Sequence, residues 1–126
     1  MRFLIDTHVL IWHLEDDAQL SLERSAVIEN SDNESLVSIA SLWEIAIKQS
    51  LGKLKLSHSI EDFIRVFDSS TTSLLPIDPR HVISVAQLSF HHKDPFDRLI
   101  IAQALTENIP IITSDSDFAA YGVSII

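Results

Sequence analysis

Four short apolar runs, each set apart from the next by helical sequence, constrain this chain more than any other feature. Residues 2–5, 34–38, 73–77 and 110–113 read as strands, and residues 123–126 as a short fifth one. The sequence between them carries helical spacing. One helix is expected over residues 7–14 and another over 22–30, with Ser21 as N-cap. Residues 39–50 place Ile39, Leu42, Trp43, Ala46 and Ile47 in helical register, with Gly52 just beyond as a stop. Further helices are expected over 59–68, over 78–88 behind Asp78-Pro79, and over 96–107 behind Asp94-Pro95. The last is apolar on nearly every face, so it should be central. Alternating strands and helices predict an α/β fold in three layers: a mainly parallel sheet of four to five strands with helices on both faces.

Composition fits this architecture. A chain of 126 residues is expected to form a single domain, residues 1–126. Leu, Ile, Val and Phe exceed a third of it, well above the ~20% below which chains tend to stay disordered. Cysteine is absent, which excludes disulfides, thiolate nucleophiles and sulfur-ligated zinc. No uncharged stretch approaches the ~18 residues of a membrane span. The apolar opening is broken by Asp6 and lacks a cleavage-site pattern, so a soluble, cytoplasmic protein with no membrane partner is expected. The net charge of −9 argues against gripping nucleic acid by charge alone, unless several acids converge on metal ions.

Some of them should. Ligands of an open α/β sheet bind off the carboxyl ends of its strands. Asp6 ends the first strand and Asp115 follows the fourth. Glu44 lies early in the helix after the second, and Asp97 in the first turn of the central helix. Four carboxylates from distant parts of the chain therefore point to one sheet edge. Hard oxygen donors suit Mg²⁺ or Mn²⁺, and such a site can activate water for phosphodiester hydrolysis. Each acid also has a plainer role available. Glu44 could pair with Lys48 at i,i+4 or back-cap Ser41, Asp97 could complement a helix dipole, and Asp115 and Asp117 could belong to a turn or cap. Asp6 is harder to explain away, because a carboxylate straight after a buried strand is costly without a partner.

The wording around these acids narrows the choice. Leu-Ile-Asp6-Thr-His8, Ser41-Leu-Trp-Glu44-Ile-Ala-Ile-Lys48, His92-Lys-Asp-Pro-Phe-Asp97-Arg-Leu-Ile-Ile-Ala-Gln103 and Thr113-Ser-Asp115-Ser-Asp-Phe118 follow one another in the order seen in the PIN-domain family. Over essentially its whole length the chain resembles that family, and most closely its VapC-type toxins. The resemblance implies a PIN-like fold and a Mg²⁺- or Mn²⁺-dependent endoribonuclease. Asp6, Glu44, Asp97 and Asp115 would be its catalytic and metal-binding residues. It also implies hydrolysis by metal-activated water that leaves a 5′-phosphate and a 3′-hydroxyl, a homodimer, and a VapB-like antitoxin that plugs the site. A basic inhibitory segment on that antitoxin would suit four carboxylates. Asp117 could share or replace the role of Asp115, Thr113 resembles the hydroxyl beside the fourth acid, and Asp94 reads as a helix cap.

The remaining polar residues say less. The six histidines show no zinc-binding spacing and are expected at the surface or the edge of the core. Lys48, Lys53 and Lys55 form the densest basic patch; they suit a solvated helix end or RNA-backbone contact. Arg98 is open to the same use or to holding a carboxylate. A receiver-type phosphoacceptor module would want paired acids after the first strand and a lysine after the last core strand, but Asp6 stands alone and the final lysine is Lys93. A haloacid-dehalogenase-type phosphatase would want Asp-x-Asp where this chain has Asp6-Thr-His8. A catalytically inactive PIN-like RNA- or protein-binding module remains the alternative that sequence alone leaves open.

Overall fold

The computed structural model describes residues 1–126. Four strands, β1 (Arg2–Ile5), β2 (Glu34–Ser38), β3 (Ser73–Leu75) and β4 (Ile111–Ile112), form one sheet in the order β3-β2-β1-β4. Every pairing is parallel. Six α-helices connect or flank the strands: α1 (Thr7–Leu14), α2 (Leu22–Glu29), α3 (Ile39–Ser50), α4 (Ile60–Ser69), α5 (Pro79–Gln87) and α6 (Pro95–Glu107); the 3₁₀ helix Ser116–Tyr121 follows β4. The expected fifth strand is reduced to one bridge, Ile111 with Ile125. The third and fourth strands are shorter than expected, and the 3₁₀ helix stands where a turn or cap was read.

Strand periodicity sorts the core into two layers. Phe3, Ile5, Val37 and Ile112 face one side and pack with Val9, Leu10, Ile45, Phe63 and Phe67 from α1, α3 and α4. Leu4, Leu36, Leu75 and Ile111 face the other and pack with Ile100, Ile101 and Ala104 of α6 and with Phe118. The expected central helix is α6, with Ile100, Ile101, Ala102, Gln103 and Ala104 all buried.

Helix ends follow local chemistry. Ser21, Ser59, Asp78 and Asp94 each accept a first-turn backbone N–H through the side chain. At the end of α3, Gly52 adopts φ +70°. Its N–H donates to Gln49 O at 3.0 Å and that of Lys53 to Lys48 O at 2.9 Å, a Schellman stop. The helix starts at Ser38, whose hydroxyl accepts from Ala40 N. Ser41 therefore lies inside the helix, and the back-capping role considered for Glu44 is not realised.

Arg98 corrects an expectation. It is 7% exposed, so its guanidinium is not itself free for RNA, and it pairs with no carboxylate. Its guanidinium donates to the carbonyls of Ser89 (2.8 Å), Val85 (3.3 Å) and Leu88 (3.4 Å) and to Tyr121 Oη (3.3 Å). It thereby ties the segment after α5 to α6. Neighbouring helical residues do not share a face, so standing beside Asp97 in sequence does not bring Arg98 to the same surface.

Candidate metal centre

Register places the site. Ile5 of β1 lies opposite Val37 of β2 and Ile112 of β4, so the next residues, Asp6, Ser38 and Thr113, stand at one level off the carboxyl ends of the strands. The chain moves from β1 to β2 on one side, whereas β4 adds on the other. The crevice between β1 and β4 is therefore the topological switch point, where open parallel sheets bind ligands.

Asp6 occupies the N-cap position of α1, yet its side chain makes no capping hydrogen bond. One oxygen, Oδ2, accepts from Thr113 Oγ1 at 2.9 Å. The other, Oδ1, is buried and has no hydrogen-bond partner. Burial pushes the Asp6 carboxyl above the ordinary carboxylate range, against the hydrogen bond from Thr113. Thr113 Oγ1 also accepts the Asp115 N–H at 3.0 Å, so one hydroxyl joins the acids that end β1 and follow β4.

Glu44 is buried at 2% exposure. Thr7 Oγ1 lies 2.8 Å from its Oε1 and 2.9 Å from Ser41 Oγ. Its Oε2 pairs with Lys48, whose ammonium also lies 4.0 Å from Asp94 Oδ2. Burial would lower the Lys48 pKa, but Glu44, Asp94 and Asp97 together raise it. The i,i+4 pair foreseen for Glu44 and Lys48 thus forms, inside the acidic cluster.

Asp97 lies in the first turn of α6, where its N–H donates to the Asp94 cap at 3.1 Å. Burial pushes its carboxyl up to about 7, and repulsion from Asp6, Asp94 and Glu44 adds to this, with His92 opposing. Asp6, Glu44 and Asp97 therefore share one electrostatic environment with Asp94, and Asp115 is joined to Asp97 through His92. Asp115 uses Oδ1 to accept the Asp117 N–H at 2.9 Å and Oδ2 to accept from His92. Asp117 itself is exposed, and its N–H donates to Asp115. Lys53 and Lys55 are exposed in the loop after α3.

His92, expected with the other histidines at the surface or the edge of the core, enters the site. Its Nε2 lies 3.2 Å from Asp97 Oδ2 and 3.1 Å from Asp115 Oδ2, and its Nδ1 accepts the Asp94 N–H at 3.1 Å. That bond places the proton on Nε2, which makes the ring a donor to both acids. Burial would lower its pKa, but Asp115, Asp97 and Asp94 raise it. A second cluster, Asp78, His81 and Glu107, joins α5 to α6. Arg80 bridges its two carboxylates, and His81 Nδ1 accepts the Asp78 N–H at 3.0 Å. Arg80 and the buried His81 tie Asp78 of the α5 cap to Glu107 of α6, so the cluster acts as a clamp between the helices.

The residues present suit a divalent cation. The donors are hard oxygens, one of them orphaned in a buried position; Lys48 is the only lysine or arginine that pairs with the acids of the cluster, and His92 donates to two of them.

Comparison with known proteins bears on the class. The sequence matches the PIN domain over residues 3–123, and the chain belongs to the PIN-domain family. It is 27% identical over 112 residues to Ribonuclease VapC22 of Mycobacterium tuberculosis, covering 89% of this chain and 85% of that one. The fold is shared with VapBC2 from Rickettsia felis bound to a DNA fragment from its promoter (TM-score 0.76, 15% identity, 100% of this chain and 98% of that chain). It is also shared with VapBC-5 of Mycobacterium tuberculosis, a member of the VapBC family of toxin–antitoxin systems (TM-score 0.63, 22% identity, 99% and 97%). No helix is long and apolar enough to cross a membrane.

Crowded carboxylates make a stability prediction. A folded-state pKa raised from 3.8 to about 7 means that ionising Asp97 opposes folding. In chelator the protein should lose stability as pH rises through that interval, and Asp97→Asn should flatten the loss. Asp6→Asn, which keeps an acceptor for Thr113, should exceed wild type by on the order of 1 kcal/mol at neutral pH without metal. Added Mg²⁺ should stabilise wild type, by about 2.7 kcal/mol at 100 times its dissociation constant. Melts at two pH values with and without Mg²⁺ check this; Asp6→Asn melting below wild type in chelator would make Asp6 a purely structural hub.

Proposed function

We propose that this protein is a Mg²⁺- or Mn²⁺-dependent endoribonuclease, the toxin of a toxin–antitoxin pair, with Asp6, Glu44, Asp97 and Asp115 as its metal-binding and catalytic residues. The observation that carries the reading is the orphaned, buried Oδ1 of Asp6 beside Asp97, whose carboxyl is held up at about 7. Two such groups at a switch point call for a cation. The name of Ribonuclease VapC22 and the toxin–antitoxin complexes that share the fold support the direction of the reaction and the kind of partner.

Asp6, Glu44, Asp97 and Asp115 would hold a divalent cation, which would supply water activation and charge offset at the phosphate. The chain's own residues orient it. Thr113 fixes Asp6 Oδ2 and so leaves Oδ1 as the available oxygen. Thr7 holds Glu44 Oε1, and the N-terminus of α6 presents Asp97. Asp6 and Asp97 carry the main share of binding, with Glu44 and Asp115 completing the pocket. The water oxygen bonds to phosphorus as the bond to the 3′ oxygen breaks and that oxygen takes a proton, leaving a 5′-phosphate and a 3′-hydroxyl. Lys53 and Lys55, with Lys48 at the rim, serve RNA-backbone contact.

Cleavage of single-stranded RNA should stop in EDTA and return with Mg²⁺ or Mn²⁺. Asp97→Asn should lose ~10³-fold or more, because the ligand that holds the cation is gone. Asp94→Asn should stay active, since asparagine caps α6 equally well. Gel assays decide this: cleavage in excess chelator overturns the proposal, and equal loss in both variants reverses the two acids.

The partner reading has two parts. An inhibitory antitoxin segment rich in arginine or lysine suits the four carboxylates, and its association rate should fall as salt rises. Stopped-flow binding across salt concentrations checks this, and a flat rate with a neutral segment speaks against it. A second copy of the chain suits the apolar groove of about 400 Å³ between α3, α5 and α6, lined by Trp43, Ile77, Val82, Val85, Phe96 and Leu99. Trp43 and Val82 are more than half exposed there, which marks an interaction surface. Trp43→Glu should convert a dimer to a monomer in sedimentation, whereas an unchanged species would place the contact elsewhere.

A further inference from the structure

Most of this chain's positive charge is already committed. Arg2, Lys48, Arg65 and Arg80 pair with acids, Arg24 holds the Ile126 carbonyl, and Arg98 is buried in its carbonyl clamp. Lys53, Lys55 and Lys93 are exposed and make no ion pair. Lys93 belongs to the segment between α5 and α6, which enters the candidate metal centre at His92.

The same segment carries Phe90, 88% exposed and among the most exposed large apolar side chains of the molecule. Its placement is not that of a loose loop tip. The Arg98 guanidinium lies 4.3 Å from the ring centroid and donates to the carbonyls of the two preceding residues, Leu88 and Ser89. Two residues on, His92 N–H donates to Tyr121 Oη at 2.7 Å and the His92 ring contacts Asp97 and Asp115. One face of an aromatic ring is therefore backed by a buried cation, its loop is pinned on both sides, and the rest of the ring is open to solvent. An ordered, exposed ring with a free lysine three residues away matches how single-stranded nucleic acid is held, by base stacking plus phosphate contact.

We infer that Phe90 is a stacking platform for an unpaired base of the RNA at the metal centre and that Lys93 contacts a neighbouring phosphate. The inference rests on the ribonuclease reading and adds binding residues to it. Phe90 and Lys93 touch no candidate catalytic carboxylate, so their loss should raise KM and leave kcat unchanged.

The test uses a labelled single-stranded oligoribonucleotide, with binding read by anisotropy in EDTA at low salt and KM and kcat read from cleavage in Mg²⁺. Phe90→Ala should weaken binding about tenfold, within the ~5- to 150-fold that one stacked base is worth. Phe90→Leu keeps apolar cover over Arg98 but has no π face and should weaken it similarly, whereas Phe90→Trp should restore wild-type affinity. Lys93→Gln should weaken binding and flatten its salt dependence. Thermal melts within a few degrees of wild type keep these readouts separate from misfolding. Wild-type affinity in Phe90→Ala, or retention in Phe90→Leu equal to that in Phe90→Trp, overturns the inference and leaves the ribonuclease reading standing. A wild-type protein that neither binds nor cleaves RNA overturns both. Loss of protein-partner binding in Phe90→Ala with RNA binding intact assigns the ring to a protein instead.

Discussion

The arrangement around the candidate centre depends on the buried carboxylate at the end of β1. Asp6 is 3% exposed, follows three fully buried strand residues, and forgoes the helix cap that its position offers. A buried carboxylate with one unpartnered oxygen opposes folding, so the surrounding structure must hold it in place. It does so through two core layers that fix β1 between β2 and β4 and through Thr113, whose hydroxyl donates to Asp6 and accepts from Asp115. The packing of Phe3, Leu4 and Ile5 is in this sense what makes the acid available at a defined place.

The other acids are treated differently, and the contrast is informative. Asp94 and Asp115 spend one oxygen each on capping a helix start, a role that would satisfy either without further purpose. Asp115 has a second oxygen turned to His92, and Asp94 has one near Lys48. Structural and functional readings of a carboxylate are not exclusive here, because a cap fixes the side chain whose remaining oxygen faces the cluster. Glu44 and Asp97 have no such duty; Glu44 is held by Thr7 and Lys48, and Asp97 by the cap of the preceding residues.

Much of this was legible in the sequence, for physical reasons. Residues 7–14 and 39–50 emerged with the bounds of α1 and α3 because apolar periodicity and stop signals coincide there, Gly52 supplying the left-handed stop. Asp6 and Asp115 could be placed from strand ends, which local sequence marks well, and Glu44 and Asp97 from helix starts. The fifth strand was overread because an apolar run at residues 123–126 carries no sign that only Ile125 bridges to Ile111. His92 was set with the surface or core-edge histidines because its role comes in part from a contact 23 residues away with Asp115, which no spacing rule encodes. Arg98 was misjudged by adjacency to Asp97, although successive positions on a helix point about 100° apart. Phe90 left no signal, since a single exposed ring looks the same in sequence whether pinned or loose.

The acidic balance of the chain takes on a definite meaning once the charges are located. Net −9 is spread over many residues, but the unpaired cations are confined to two loops, one after α3, which carries Glu44, and one before α6, which carries Asp97. On the proposed reading, an RNA strand approaching the carboxylates is repelled by the pocket itself and attracted by its rims. Coulomb repulsion at that range is weakly screened once the charges are partly buried. A divalent cation held by the four acids would offset half of their charge and give an incoming phosphate a positive centre between the two basic rims. The overall negative charge then serves against indiscriminate binding to nucleic acid, because affinity is strongest where the cation and the flanking lysines coincide.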